Sequence, residues 1–310
     1  MIGGFWPVAD RARVSLTRDA GLRLWTPSSH LVALSPGNTV HYRDEGSSGG
    51  APLVVLHGVN DSLLTFEPWV RALGTAFRLI SVDLPGHGLT GPLPGYPYTP
   101  DALDRFVADF TTHLGLGRFV LAGNSLGGGL AWRFAIAHPG RTLGLILLAP
   151  TGLPPRCESS PGWFARAAHV PMARKVLASL PPDFVIRAGL ERAFGDRARV
   201  PADLVRRMSA LLLMAGNREA ALARLAVPWT YPLIERIGEL AMPILLIWGE
   251  NDRLLPPDDY VARFAAAWPQ AQILRLAGIG HLPQLEAAEE TAEAVQVFLS
   301  ANLATPGAVN

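Results

Sequence analysis

The chain has 310 residues, 49% of them hydrophobic and 17% charged, and its net charge of +1 gives no reason to expect nucleic acid as a partner. No apolar run approaches the roughly 20 residues of a transmembrane helix, and the N-terminal residues lack the uninterrupted apolar core of a signal peptide. The single cysteine, Cys157, cannot form an internal disulfide, so nothing indicates an oxidising compartment and we expect a cytoplasmic protein.

The first half of the chain alternates predicted strands with predicted helices. Residues 1–30 are mixed in character and are predicted to form a leader or arm. An antiparallel hairpin is predicted where the runs 31–34 and 39–43 flank a turn, and the apolar run 53–56 is typical of a strand inside a parallel sheet. Further strands are predicted at 77–82, 119–122 and 142–148, and helices at 102–114 and 130–137.

The pattern changes between residues 152 and 236, where strands vanish and prolines interrupt short helical stretches. One clear helical stripe in this region is formed by Leu204, Val205, Met208, Leu211 and Leu212. The region is therefore predicted to be an all-helical insertion. Beyond it, strands are predicted at 244–248 and 271–276, helices at 260–268 and 289–299, and a loose tail at 302–310.

Strands and helices in this alternation predict an α/β fold with a mostly parallel sheet of eight strands, covered by helices on both faces. Its core is predicted to comprise residues 31–151 and 237–301, with residues 152–236 as a separate helical unit. In parallel sheets, functional sites gather at the carboxyl ends of the strands, so the residues just after each strand are the candidates.

The segment Gly123-Asn124-Ser125-Leu126-Gly127 joins the strand at 119–122 to the helix that follows it. Gly-x-Ser-x-Gly at so tight a turn holds the serine in a strained backbone conformation, and glycines flank it because a Cβ would clash. The hydroxyl then projects from the end of the sheet, and the helix N-terminus behind it favours negative charge. Ser125 is therefore the predicted nucleophile.

A serine hydroxyl is a weak nucleophile at its own pKa, so Ser125 needs a base, and the base needs an orienting acid. Asp252 and His281 each follow a predicted strand, and the order Ser, Asp, His along the chain is the one expected for this fold. Glu250 is a rival for the acid. Taken singly, Asp252 could be a turn or N-cap residue and His281 could make a structural bond, but the ordered set of three favours a catalytic triad.

These residues resemble the α/β-hydrolase family, over a stretch from about Asn38 to Leu299, and the similarity implies a serine esterase with a helical cap at 152–236. The turn His57-Gly58-Val59-Asn60 resembles the family's oxyanion turn, which implies that the backbone N–H groups of Val59 and Leu126 hold the oxyanion. His57 and His87 also match family signatures, and for both we favour a structural role.

The resemblance narrows the reaction without naming the substrate. Haloalkane dehalogenases and epoxide hydrolases of similar build carry an Asp nucleophile where this chain has Ser125, which disfavours both. Carbon–carbon bond hydrolases share the Gly-Asn-Ser elbow, but they typically have Gly-Pro-Gly after the His-Gly turn and a Trp after the catalytic His. This chain has Val59-Asn60-Asp61 and Leu282-Pro283 there. We therefore predict hydrolysis of a small to medium, apolar carboxylic ester through an acyl-enzyme, with carbon–carbon cleavage as the alternative.

Other possibilities stay open. A non-catalytic small-molecule binder on the same fold is the alternative from a different class, and acyl transfer or perhydrolysis would use the same triad. No sequence pattern suggests a metal or a nucleotide cofactor, so we expect neither, and the oligomeric state is left open. Apolar residues of the insertion either line an acyl pocket or bury the insertion on the core; they are Phe184, Val185, Met208, Leu211 and Met214, with Trp163 and Trp229 near its edges.

Overall fold

The fold is that of a computed structural model, described for residues 24–35, 38–47, 51–154, 170, 180–225, 227 and 233–303. Several predictions from the sequence fall outside these residues. They concern most of the N-terminal arm, the centre of the first hairpin turn, Cys157, Trp163, Trp229 and the tail beyond residue 303.

The described residues form a sheet of eight strands in the order β1-β2-β4-β3-β5-β6-β7-β8, which confirms the predicted fold class. The pairs β1–β2 and β2–β4 are antiparallel, and the remaining neighbours are parallel. The strands are β1 (Ser29–Ser35), β2 (Asn38–Gly46), β3 (Pro52–Leu56), β4 (Arg78–Val82), β5 (Phe119–Asn124), β6 (Thr142–Leu148), β7 (Ile244–Gly249) and β8 (Gln272–Leu276).

The described α-helices are α1 (Glu67–Leu73), α2 (Pro100–His113), α3 (Leu126–Ala137), α4 (Pro182–Ala193), α5 (Ala202–Leu212), α6 (Asn217–Leu225), α7 (Pro257–Ala267), α8 (Pro283–Glu286) and α9 (Ala288–Asn302). Helices α2 and α7 begin earlier than their apolar spacing predicts, at Pro100 and Pro257. Proline suits the first turn because its fixed φ is helical and the N–H it lacks would have no partner inside the helix. Helix α9 also extends into the predicted tail, as far as Asn302.

Two apolar layers cover the sheet, one on each face. Along β3, Val54 and Leu56 point into the larger layer while Leu53 and Val55 point into the other, which is the alternation expected of a strand buried on both faces. Because β3 to β8 run parallel, the loops that follow them emerge along one edge of the sheet. That edge carries all of the predicted site residues.

Helices α4, α5 and α6 lie in the chain between β6 and β7, where the helical insertion was predicted. Met208 belongs to an apolar cluster that includes Leu282, directly after His281. Leu211 and Met214 pack with three apolar residues from the loops after β3 and β4, namely Leu63, Leu64 and Leu89. Phe184, in contrast, is 63% exposed and does not help to bury the insertion. No helix in the described part of the chain is long and apolar enough to cross a membrane.

Candidate active site

Ser125 lies at a sharp turn between β5 and α3. Its φ of 52° and ψ of −115° are sterically strained for a residue that carries a Cβ. The turn needs glycine on both sides, since a Cβ at Gly123 would overlap the backbone of Gly127 and a Cβ at Gly127 would overlap the carbonyl of Leu56. A hydrogen bond to the neighbouring strand β6 keeps Ser125 in this conformation: its N–H donates to Leu148 O at 2.9 Å. Ser125 therefore lies at a strained strand-to-helix turn, as the sequence predicts.

Asp252 and His281 lie side by side in the loops after β7 and β8. The Nδ1 atom of His281 is 2.7 Å from Oδ2 of Asp252, and both side chains are buried. The other carboxylate oxygen, Oδ1, accepts hydrogen bonds from the N–H groups of Leu254 at 2.8 Å and Leu255 at 2.9 Å. In this arrangement Oδ2 is the acceptor for a proton on Nδ1, and that tautomer of the imidazole presents its lone pair at Nε2. The rival acid, Glu250, instead faces Arg275 at 3.3 Å.

The loop that carries His281 is held by buried polar groups that the sequence did not reveal. Glu286 accepts hydrogen bonds from the N–H groups of Gly195 at 2.7 Å, Gly280 at 3.0 Å and Leu282 at 3.3 Å. Burial raises the pKa of the Glu286 carboxyl above its ordinary value, against the opposing effect of these three donors. The backbone on both sides of His281 is therefore fixed by one carboxylate, which also binds the end of the α4 segment.

Asn124, the residue before Ser125, also hydrogen-bonds to the loop that carries His281. Its Nδ2 donates to His281 O at 2.9 Å and to Leu148 O at 3.1 Å. The His281 N–H in turn donates to Ala193 O at 2.7 Å, at the end of α4. The elbow, the histidine loop and the helical insertion thus share one hydrogen-bonded network.

The turn after β3 lies directly against the elbow. A Cβ added at Gly58 would lie 3.1 Å from Asn124 Oδ1 and 3.4 Å from the Cβ of Ser125, so this turn and the turn that carries Ser125 are in close contact at a glycine. Within the described residues, neither Val59 N–H nor Leu126 N–H donates a hydrogen bond, whereas Asn60 N–H donates to Nε2 of His87 at 3.2 Å. These two unpaired donors are the ones that the sequence predicted for an oxyanion.

His57 and His87 are both buried and act as hydrogen-bond bridges. His57 Nδ1 lies 2.7 Å from Gly58 O, which can only accept, so Nε2 accepts the Leu84 N–H at 3.0 Å. Burial lowers the pKa of His57 to about 4, and burial with the neighbouring charge of Arg224 holds the pKa of His87 well below its ordinary value. Both rings are therefore neutral near pH 7, and their contacts support the structural role that we favoured.

A second buried His–Asp pair lies beneath the turn. His41 Nδ1 is 2.7 Å from Asp83 Oδ2, and His41 Nε2 is 3.1 Å from Ser29 Oγ. Asp83 also accepts the N–H groups of Leu63 at 3.0 Å and Leu89 at 2.9 Å, which ties together the loops after β3 and β4. Ser29 opens strand β1 and lies at neither a strained turn nor a helix N-terminus, so this array lacks the features that distinguish Ser125.

Comparison with known proteins decides the family. Residues 51–288 match the model of the alpha/beta hydrolase fold family. The chain belongs to this family. Three of its relatives are the acetyltransferase component of the Pseudomonas putida acetoin cleaving system, a 2-hydroxy-6-oxononadienedioate/2-hydroxy-6-oxononatrienedioate hydrolase from Burkholderia vietnamiensis, and a pimeloyl-[acyl-carrier protein] methyl ester esterase from Nitrosomonas europaea.

The acetyltransferase component is 30% identical and covers 85% of this chain and 67% of its own length. The Burkholderia hydrolase is 31% identical and covers 84% and 90%, and the esterase is 30% identical and covers 79% and 94%. The family, together with the relatives that are named a hydrolase and an esterase, supports a hydrolase. Among the described residues, no group of His, Cys, Asp and Glu side chains forms a metal site.

Proposed function

We propose that this protein is a serine hydrolase that cleaves carboxylic esters through an acyl-enzyme, with Ser125, His281 and Asp252 as the catalytic triad. The observation that carries the proposal is the His281–Asp252 bond of 2.7 Å at the same sheet edge as a strained, elbow-type Ser125. Each member of a triad has a defined task, and the environment of each residue suits that task.

In the first half of the reaction, His281 Nε2 takes the proton of Ser125 Oγ as that oxygen attacks the ester carbonyl. Asp252 fixes the Nδ1–H tautomer and stabilises the imidazolium, and its Oδ1 is held in place by two backbone donors. The oxyanion is held by the N–H groups of Val59 and Leu126, which have no competing acceptor in the described residues. Such a donor is worth about 3 kcal/mol of transition-state stabilisation.

Collapse of the tetrahedral intermediate breaks the ester C–O bond and completes acylation, and the departing alcohol takes the proton from His281. The neutral imidazole then activates a water molecule, and the same oxyanion donors serve the attack of water on the acyl-enzyme. Collapse of the second tetrahedral intermediate breaks the bond to Ser125 Oγ, which takes the proton back from His281, and the carboxylic acid leaves.

Residues 152–236 form, in this proposal, a helical cap over the acyl site. The support is that Met208 shares an apolar cluster with Leu282, which follows the histidine, and that Leu211 and Met214 share another with Leu63 and Leu64, which lie shortly after the predicted oxyanion turn. Apolar contacts so near both sides of the site favour an acyl group of small to medium size and apolar character.

The alternative reaction is carbon–carbon bond hydrolysis, which the similarity to the Burkholderia hydrolase favours. The residues around the turn and after His281 lack the features typical of that activity, whereas the relative from Nitrosomonas europaea is named a methyl ester esterase. Transfer of the acyl group to an acceptor other than water would use the same first half-reaction, and a non-catalytic binder would use none of it.

The test is intact mass spectrometry after exposure to a fluorophosphonate, with Ser125→Ala and His281→Ala measured in parallel. We expect one adduct on the wild type, none on Ser125→Ala and strongly slowed labelling of His281→Ala. An ester panel graded by acyl length, with one carbon–carbon cleavage substrate included, then assigns the bond. If the wild type stays unlabelled while a known serine hydrolase reacts, the catalytic proposal fails and the binder becomes the leading hypothesis.

A further inference from the structure

Arg224 of helix α6 is a buried cation next to the oxyanion turn. Only 8% of the residue is exposed. Its Nη1 donates to Gly86 O at 2.6 Å, its Nη2 donates to Asn60 Oδ1 at 2.9 Å, and its guanidinium carbon lies 5.9 Å from the ring centre of Tyr98. The insertion thus reaches into the two loops that follow β3 and β4.

None of these partners of Arg224 is an acid, and within the described part of the chain no carboxylate forms an ion pair with it. Burial lowers the pKa of the guanidinium to about 10, which still leaves it charged near pH 7. A buried charge without a counter-ion is expensive, and stability alone is better served by an apolar residue in such a place. The position of Arg224 therefore calls for an explanation beyond folding.

The local backbone is shaped to admit this side chain. Gly86 has a φ of +77°, and a Cβ there would lie 2.6 Å from Nη1 of Arg224 and 2.7 Å from Cε1 of Tyr98. The carbonyl of Gly86 and the ring of Tyr98 together form a slot in which the guanidinium lies. In this slot the guanidinium is directed at the Asn60 side chain, to which its Nη2 donates.

Asn60 is held at both ends. Its backbone has a φ of 55°, its N–H donates to His87 Nε2, and its side-chain oxygen accepts from Arg224. Asn60 directly follows Val59, so these two contacts anchor the residue next to Val59 in the chain. The peptide unit that carries the Val59 N–H is held from its other side, because its carbonyl, Gly58 O, lies 2.7 Å from His57 Nδ1. The Asn60 N–H is occupied by His87, whereas the Val59 N–H has no partner among the described residues.

We propose that Arg224 is a positioning residue for the oxyanion turn: by anchoring Asn60 it limits movement of the turn that presents the Val59 N–H to the transition state. The inference rests on the proposed function, and it adds to it that the helical insertion contributes to the chemical step as well as to substrate binding. Loss of the Arg224–Asn60 contact should lower kcat with little change in KM, because the Val59 N–H on this turn stabilises the oxyanion that develops in the transition state.

The experiment measures kcat, KM and the fluorophosphonate labelling rate for Arg224→Met and Arg224→Lys with an ester that the wild type accepts. Removal of one oxyanion donor typically costs about 10²- to 10³-fold in kcat, so a misaligned donor in Arg224→Met should cost about 10- to 100-fold. Lysine has a charge but no planar fork, and Arg224→Lys should recover part of the rate. The matched control is Arg207→Met, because Arg207 joins α5 to Glu67 in the core without contact to the turn.

Asn60→Gly gives a second, independent arm that also serves if Arg224→Met does not fold. Glycine tolerates the positive φ of this position but removes the acceptor for Arg224. We expect Asn60→Gly to lose kcat as Arg224→Met does, and the double variant to lose no more than either single one, because the two residues act as one unit. A wild type that reacts with the fluorophosphonate while both variants retain wild-type kcat, or losses that multiply in the double variant, would overturn the role of Arg224 and leave the triad intact. An unreactive wild type would instead overturn the proposed function.

Discussion

Asp61 offers a sharp test of the electrostatics around the site, because its carboxyl group is buried next to the oxyanion turn. Its Oδ1 accepts the Ser62 N–H at 2.8 Å, while Oδ2 is buried and has no hydrogen-bond partner among the described residues. Burial, with a smaller contribution from the charge of Asp83, raises the pKa of Asp61 from 3.8 to about 7. Asp61→Asn replaces this group with a neutral one of the same shape.

The sign of the effect follows from proton binding. Between pH 4 and 7 the folded protein keeps the Asp61 proton that the unfolded chain releases, so the folded state binds more protons and its stability falls as the pH rises. The difference of about 3 pKa units corresponds to about 4 kcal/mol across this window. Since asparagine does not titrate, Asp61→Asn should gain stability relative to the wild type as the pH rises, and the gain should level off above the folded pKa.

Urea denaturation at pH 4.5, 6 and 8 measures this directly, with the exposed Asp109→Asn as the matched control. We expect the free energy of unfolding of Asp61→Asn, minus that of the wild type, to grow by several kcal/mol from the lowest pH to the highest. A difference that does not change with pH, or that shrinks as the pH rises, would refute the reasoning. Asp109→Asn should show no comparable trend.

Three further perturbations test the supports of the site. Glu286→Gln removes at least one of three charge-assisted bonds, so urea denaturation should show a loss of about 1.5–3 kcal/mol and steady-state assays a lower kcat; unchanged values for both would contradict the role of Glu286. Gly127→Ala should abolish fluorophosphonate labelling because its Cβ would overlap Leu56 O, whereas Gly117→Ala, with open space around it, should label normally. Ser29→Ala should keep the full adduct in intact mass spectrometry, and its loss would mean that the Ser29–His41–Asp83 array is reactive.

The strands and the elbow were predictable because their signals are local. A run such as Leu53-Val54-Val55-Leu56 is apolar at every position, as a strand buried on both faces must be, and the structure has β3 at Pro52–Leu56. The glycines around Ser125 are required because a Cβ at either position would overlap backbone atoms, which happens only in a very tight turn. The proximity of Asp252 and His281 followed from a general property of parallel sheets, whose carboxyl ends share one edge.

The supports of the site were not predictable, because each depends on contacts between distant parts of the chain. Asn124 binds the carbonyl of His281, 157 residues away, and Arg224 binds the Asn60 side chain, 164 residues away. Glu286 could not be singled out for another reason: in the sequence it is one of several acids near the start of a helical region. Only the fold reveals that its carboxylate turns back to three backbone N–H groups.

The side chains that hold the predicted site in place are buried for a common physical reason. A triad and an oxyanion turn work only if donors and acceptors already point in the right direction when charge develops, since reorientation at that moment would cost part of the stabilisation. Glu286 and Asn124 each use a buried polar group to hold backbone at or next to His281, and Arg224 uses one to hold the Asn60 side chain next to Val59. Such groups are expensive for folding, and apolar packing alone would not orient a peptide N–H. At these three residues, therefore, the fold gives up some stability in exchange for the geometry of the predicted site. Their variants should lower kcat more than they raise KM.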